Sequence, residues 1–203
     1  MHAHPELTRS TTWTFSDLAA TRSRAARVAI RLGLSVLFAG LTWLGANIVI
    51  PIEPIPITMQ TLFVLLAGAS IGRGWGSLSQ GLYVGLGALG LPLFAGGALG
   101  AGVLAGPTGG YLIAFMVTPF VVGTMLRRSS RASWQVASFV VGTIVIFTFG
   151  VSHLALFYTH DLGRALSLGL VPFLPGAVFK IVAALSIHRS SQALVEHYRR
   201  RSR

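Results

Sequence analysis

Cysteine is absent from this chain of 203 residues, and charge of either sign is scarce. Without thiols the chain can form no disulfide, no thiolate metal site and no cysteine nucleophile. Charged residues make up 10% of the chain and hydrophobic residues 53%, whereas soluble domains average about 25% charged residues. The composition therefore predicts an all-α integral membrane protein, surrounded by the lipid bilayer.

Catalytic motifs are missing as well. The sequence contains no G-x-x-x-x-G-K-[ST] and no H-E-x-x-H. His153 and His160 lack the spacing and carboxylate support of a zinc site, so neither a metal nor a cofactor is expected. A membrane enzyme acting on a small acid or a lipid is the alternative that stays open. Its candidate residues are Lys180, His153, His160 and Asp161.

Long apolar runs recur along the chain, and a span needs about 20 such residues. We predict a membrane domain over residues 28–188 with six transmembrane helices. A basic segment, residues 1–27, precedes it, with a short interfacial helix around Trp13–Leu18 as a further hypothesis, and a basic tail, residues 189–203, follows it. The predicted spans are Val28–Ile50, Ile57–Ile71, Trp75–Ala95, Thr108–Leu126, Trp134–Tyr158 and Ala165–Ile187.

Acidic residues number only 5 against 16 basic ones, which gives a net charge of +11. Most arginines flank apolar segments, so this charge indicates membrane topology and not a nucleic-acid partner. With six spans, 14 of the 16 basic residues fall on one side of the membrane. The positive-inside rule then predicts that both termini are cytoplasmic in the cell membrane.

Lys180 is the only lysine, and it lies in the uncharged stretch Ala165–Ile187. Placing an ammonium group at membrane depth costs about 3 kcal/mol on insertion scales. A snorkelling lysine stem is the alternative, but arginine supplies every other positive charge here. We therefore predict that Lys180 contacts an anionic or polar ligand. Pro172 and Pro175 predict a break or kink in the helix just before it.

Two connections between the predicted spans are unusual. Prolines 51, 54 and 56 require an extended segment, which leads to Thr58 as a predicted helix N-cap and to Gln60, whose amide needs a partner. Residues 91–111 are apolar but too rich in glycine for a good helix. Such backbone is tolerated where it lines a cavity, so we predict a loop that caps a ligand pocket.

Tyr111 is the last residue of this loop, and Tyr83 lies before it in the predicted third span. For Tyr111, a position in the interfacial aromatic belt and a ligand contact are equally supported. For Tyr83, belt or core packing outweighs a ligand role. Gly106, Pro107 and Thr108 predict a tight turn before the next helix.

Five short stretches, in this order and spacing, resemble the BioY family, the biotin-binding S components of energy-coupling factor (ECF) transporters. The resemblance covers residues 34–187. The matching stretches are Gly45–Asn47, Pro54–Leu62, Gly87–Gly97, Gly106–Leu112 and Pro172–Gly176 with Lys180.

The resemblance implies a six-helix S component that binds biotin near the outer face and is not an enzyme. Its partners would be the ECF transmembrane coupling subunit and ABC-type ATPase subunits. An S component for another small vitamin and a solitary importer stay open. The ligand-binding residues that the resemblance and the motifs imply are Lys180, Tyr111, Gly96, Gly97, Phe94, Thr108, Gln60, Thr58, Asn47 and Tyr83.

The chain departs from the family pattern at two positions. Asn47 stands where the family usually has Gln, and Ala177 stands where it commonly has Asp. On a helix, residues i and i+3 share a face, so an acid at position 177 would pair with Lys180. We predict that Ala177→Asp alters binding.

Small residues on the first helix are implied as the docking surface for the coupling subunit. Their small-x-x-x-small spacing lets helices approach closely. Packing within the chain is the equally supported alternative. The residues are Ser35, Ala39, Gly33 and Ala29.

Overall fold

The computed structural model describes residues 23–201, with side chains for residues 23–197. The hypothetical helix around Trp13–Leu18 and most of the segment 1–27 lie outside this range. The elements are α1 (Arg24–Asn47), β1 (Val49–Ile50), β2 (Ile57–Thr58), α2 (Gln60–Ile71), α3 (Arg73–Ala88), α4 (Gly102–Ala105), α5 (Gly109–Leu126), α6 (Ala132–Leu154), α7 (Leu162–Gly169) and α8 (Leu174–Arg201). Short 3-10 turns lie at Ala95–Gly97 and Val171–Phe173, and a π-helical turn at Ala155–Thr159.

Four helical segments of the described chain are long and apolar enough to cross a membrane: Arg24–Asn47, Gly109–Leu126, Ala132–Thr159 and Leu162–His197. They correspond to the predicted first, fourth, fifth and sixth spans, but the first ends at Asn47 and not at Ile50, and the fourth begins at Gly109 and not at Thr108. The second and third spans are shorter than predicted. At 1.5 Å per residue, α2 and α3 are roughly 18 and 24 Å long, less than the hydrocarbon core of about 30 Å.

The ends of these two shorter helices follow from backbone chemistry. The predicted second span began at Ile57, but Ile57 and Thr58 pair with Ile50 and Val49 in a two-stranded ribbon, so α2 starts only at Gln60. The predicted third span ran to Ala95, but α3 ends at Ala88. Gly90 then takes a left-handed conformation with φ of 105°, which turns the chain out of the helix.

The predicted sixth span, Ala165–Ile187, is divided. α7 ends at Gly169, a 3-10 turn holds Pro172, and α8 starts at Leu174 with Pro175 in its first turn. Proline is tolerated there because the first helical N–H groups have no intrahelical acceptor. The predicted break before Lys180 is confirmed, and Lys180 lies in the second turn of α8.

Close contacts of α2 and α3 with α5 hold the shorter helices in the bundle. A Cβ added to Gly68 of α2 would lie 2.6 Å from the carbonyl oxygen of Pro119 in α5, and one added to Gly76 of α3 would lie 2.8 Å from the Pro119 ring. Neither glycine can therefore be replaced without separating the helices. The packed residues around this crossing include Val64, Leu65, Ala67 and Val122, all nearly inaccessible.

Most of the arginines that the structure describes lie at one end of the bundle. The Arg73 guanidinium, at the α2–α3 turn, lies 5.5 Å from the ring centroid of Phe120 near the end of α5. The Nε of Arg189 in α8 donates a hydrogen bond of 3.1 Å to Gln135 near the start of α6. The arginines placed at this end by their helix termini and turns are Arg24, Arg27, Arg31, Arg73, Arg127, Arg128, Arg131 and Arg189. Arg164 lies towards the other end. There the side chain of Asp161 caps α7 by accepting a hydrogen bond from the backbone N–H of Arg164.

Candidate ligand-binding cavity

A cavity of about 340 Å³ lies at the bundle end away from these arginines. Its size is within the range of small-molecule sites. Its wall is built from the extended segment before α2, the starts of α2 and α5, the middle of α6, and the chain around the α7–α8 break. The loop between α3 and α5 completes it.

Aromatic rings form much of the wall. Tyr111 of α5 and Phe173 of the 3-10 turn stack with ring centroids 6.3 Å apart, and Phe147 of α6 meets Phe173 edge-on at 6.4 Å. The Tyr111 ring packs directly on Gly150, and its hydroxyl donates a 2.6 Å hydrogen bond to the Gly169 carbonyl. Tyr111 is thus a buried wall of the cavity, which excludes the interpretation as an interfacial belt residue.

Lys180 reaches the cavity from α8 with only 7% of its surface exposed. A snorkelling lysine would expose its ammonium group, so burial opposes that alternative. Ala177, three residues earlier, also lines the cavity, and the described lining residues include no Asp or Glu. The cavity therefore contains one cation without an acidic partner in its wall, which favours an anionic ligand group.

A chain of hydrogen bonds runs behind the wall where α2 begins. Thr58 Oγ1 donates to Gln60 Oε1 at 2.7 Å, and Gln60 Nε2 donates to the Tyr83 hydroxyl at 2.5 Å. The Tyr83 hydroxyl in turn donates to the Leu93 carbonyl at 3.0 Å. The predicted N-cap role of Thr58 is wrong, because Met59 occupies the N-cap position and the Thr58 hydroxyl is bonded to Gln60.

The glycine-rich loop covers the cavity, in the geometry predicted from its composition. Phe94, Val103 and Thr108 are among its lining residues. At its far end the Gly106 carbonyl accepts a hydrogen bond of 3.1 Å from Nε2 of His153 on α6. Turns in the loop depend on glycines with positive φ, a region that side chains rarely adopt. These are Gly90, Gly96, Gly97 and Gly100.

The structure brings six of the ten predicted ligand residues together in the cavity wall: Lys180, Tyr111, Phe94, Thr108, Gln60 and Thr58. Four are not in the wall. Tyr83 is fully buried behind Gln60, Gly96 and Gly97 are exposed on the loop, and Asn47 is exposed at the end of α1, with its amide donating to the Trp43 carbonyl at 2.8 Å.

Several lining residues were not predicted. Thr143 and Phe147 lie four residues apart on the inner face of α6, but they belong to an apolar run in which no residue stands out. Phe173 had a signal, since it lies between the two prolines that divide the predicted sixth span.

The predicted docking residues on α1 divide into two pairs. Ser35 and Ala39 are buried within the chain, and the Ser35 hydroxyl donates to the Trp75 carbonyl of α3 at 3.1 Å. For this pair, burial favours the alternative of packing within the chain. Ala29 and Gly33 are exposed, and a docking role for them stays a prediction.

The fold and this site define a class: a helical membrane protein with a loop-covered cavity near one end. Within the described residues no cluster of three or more His, Cys, Asp or Glu side chains could hold a metal ion. The sequence profile of the BioY family matches residues 16–197. The chain belongs to the BioY family.

Relatives match most of the chain. "Biotin transporter BioY" of Thermotoga maritima is 43% identical over 151 residues, which cover 74% of this chain and 89% of the relative. "Probable biotin transporter BioY" of Pyrococcus horikoshii is 38% identical over 156 residues, 77% of this chain and 92% of the relative. The crystal structure of an S-component for biotin from an ECF-type ABC transporter matches with a TM-score of 0.77 and 28% identity. That match covers 85% of this chain and 95% of the other.

Proposed function

We propose that this chain is the biotin-binding S component of an ECF-type transporter, which takes up biotin from the outer side and delivers it inward. The observation that carries the proposal is the loop-covered cavity with aromatic walls and one buried lysine, in a chain of the BioY family. The chain is a transport subunit and not an enzyme, since its relatives are named as transporters.

The cavity fits the three parts of biotin. Tyr111, Phe173 and Phe94 provide apolar surface for the bicyclic ring. The ammonium group of Lys180 pairs with the carboxylate, a charge-assisted contact. Thr58 and Gln60 provide polar atoms for the ureido group, and Thr108 adds a hydroxyl from the loop. Gly96 and Gly97 supply the turns that let the loop cover the ligand. Tyr83 and Asn47 contribute to binding indirectly, because they do not line the cavity.

We further propose a six-span topology with both termini cytoplasmic. In this topology α2 and α3 complete their crossings with the extended segment before α2 and the loop after α3. The proposal is supported by the arginines at one end of the bundle and by the cavity near the other. Biotin then enters from the outer side of the cell membrane.

Coupling and ATPase subunits of an ECF transporter are the proposed partners. The chain has no Walker A motif, so ATP hydrolysis must come from other subunits. The exposed small residues of α1, Ala29 and Gly33, are the proposed docking face, because small side chains let a partner helix approach closely.

The proposed function is tested by equilibrium binding of biotin to the purified chain in detergent, with Lys180→Met beside the parent. We expect tight binding by the parent and a loss of at least about tenfold in the variant, because one lost charge-assisted contact is worth roughly 1.5–3 kcal/mol. Arg164→Met is the matched control, since Arg164 is an exposed cation outside the cavity wall.

Either of two results would overturn the proposal. Absence of biotin binding by the parent, with binding of a different vitamin, would assign another substrate. Formation of a product from a small acid or lipid by the purified chain would support the enzyme alternative.

A further inference from the structure

In the hydrogen bonds around Tyr83, only one assignment of donors and acceptors is possible. The Leu93 carbonyl can only accept, and a phenol carries one proton, so the Tyr83 proton points to Leu93 across 3.0 Å. The Tyr83 oxygen must then accept from Gln60 at 2.5 Å. This turns the amide nitrogen of Gln60 towards Tyr83 and its oxygen towards Thr58, whose hydroxyl must donate across 2.7 Å.

This assignment decides which hydrogen bonds the wall can offer a ligand. The Thr58 proton is already used, so the Thr58 oxygen can act towards the cavity only as an acceptor. Gln60 keeps one amide proton that it can donate. Both residues line the cavity, and together they offer an acceptor beside a donor. The complementary ligand edge is an N–H group next to a C=O group, as in a cyclic urea or amide.

We propose that Tyr83 is a positioning residue that sets this hydrogen-bond polarity, and that it thereby makes the wall select a cyclic urea over a cyclic guanidine. A cyclic guanidine is protonated at neutral pH and then offers only N–H groups where the urea has its carbonyl oxygen, so the Gln60 N–H would be left without an acceptor. Leaving a buried donor unpaired costs roughly 1–3 kcal/mol. The inference rests on the proposed function, because the ureido group of biotin is such a urea.

The same hydrogen bonds link the cavity wall to the glycine-rich loop. Leu93 directly precedes Phe94, which lines the cavity and meets the Tyr83 ring edge-on with centroids 5.8 Å apart. Phe94 also packs against Gly87, where any Cβ would clash with its ring. The Gln60 amide is therefore held in one orientation by a tyrosine that is itself bonded to the closed loop.

The test compares biotin with 2-iminobiotin, in which an imino group replaces the ureido oxygen. Dissociation constants for both ligands are measured with the parent chain and with Tyr83→Phe, which keeps the ring and removes the hydroxyl. Without the hydroxyl the Gln60 amide can turn over and present its oxygen to the ligand. We expect the preference of the parent for biotin to fall by about tenfold, a change of roughly 1.4 kcal/mol.

Thr42→Val is the matched control. Thr42 and Gln80 form another buried threonine–glutamine pair, with 3.2 Å between Oγ1 and Oε1, and neither residue lines the cavity. Removing that hydroxyl should leave the ligand preference unchanged. A second route uses Gln60: Gln60→Glu keeps the size of the side chain but has no N–H group to donate to the ureido oxygen, so it should lower the preference for biotin.

The outcomes separate the two proposals. If Tyr83→Phe weakens both ligands by the same factor, Tyr83 has only a packing role and the inference is wrong. If Tyr83→Phe does not fold, Gln60→Glu decides, and an unchanged preference in that variant overturns the inference. A parent chain that binds neither ligand contradicts the proposed function itself.

Discussion

Lys180 and Ala177 face the cavity from the same side of α8, three residues apart. A lysine with a carboxylate at that spacing would be paired within its own helix. With alanine in that position, the ammonium group is available to a ligand. The charge that the ligand brings should therefore contribute more to affinity in this chain than in a family member that has an acid there.

Ala177→Asp should reduce the preference for biotin over its uncharged methyl ester. The new carboxylate would compete with that of biotin for Lys180, and we expect the ratio of the two affinities to fall by about tenfold. Titration of both ligands against the variant and against Ala177→Asn, which adds similar volume without charge, measures the effect. An unchanged ratio in Ala177→Asp would show that Lys180 does not bind the carboxylate.

The sequence identified candidate cavity residues where a polar or charged side chain lies among apolar ones. Lys180 stood out because no other charge lies near it, and Gln60 because an amide beside apolar helices needs a partner. Thr143 could not be found, because threonine hydroxyls in a membrane helix often bond to the preceding turn, as Thr143 does to Phe139 at 2.9 Å. Only the tertiary fold shows which side of α6 faces the cavity.

Proline and glycine mark the places where the elements of the chain break. The separation of α7 from α8 and the turns of the glycine-rich loop could be predicted, because both follow from local backbone chemistry. The shortening of α2 could not. It depends on the pairing of β1 with β2, and on the Met59 N–H, which donates to the Gly45 and Ile48 carbonyls at the end of α1. Such pairings between neighbouring elements leave no periodic pattern in a two-residue strand.

The outward face of α1 offers a test of partner docking at the scale of a helix. A Cβ at Gly33 would have no neighbour within 4 Å, so Gly33→Leu should fold and bind biotin normally. We expect the variant to lose most of its coupling subunit in gentle co-purification, because the larger side chain keeps the partner helix away.

Gly85→Leu is the control for this experiment, since Gly85 of α3 is equally open. Co-purification that survives in Gly33→Leu would exclude this face as the docking surface.

Charge and cavity lie at opposite ends of the described molecule. Most of the described arginines, the α2–α3 turn and the α5–α6 turn lie at one end, and the loop-covered cavity lies towards the other. The charge pattern of the sequence was sufficient to predict that the arginines lie at one end, because this depends only on which connections between helices share a side of the membrane. It was not sufficient to show that α2 and α3 fall short of a full crossing.

The absence of cysteine makes the topology directly measurable. A single cysteine placed at Leu99 in the exposed loop, or at Ser130 in the exposed α5–α6 turn, would be the only thiol in the chain. In intact cells a membrane-impermeant thiol reagent should label Leu99→Cys and leave Ser130→Cys unlabelled. Labelling of Ser130→Cys after the cells are opened controls for access, and the reverse pattern would invert the proposed topology.

The absence of acidic residues from the described cavity wall has an electrical consequence. With Lys180 protonated, an empty site would carry one positive charge, whereas a site that held the proposed biotin anion would be neutral. A unit charge moved through a membrane potential of 100 mV changes in energy by about 2.3 kcal/mol. We therefore expect any movement of the loaded site through the membrane field to be insensitive to voltage, and any return of the empty site to respond to it.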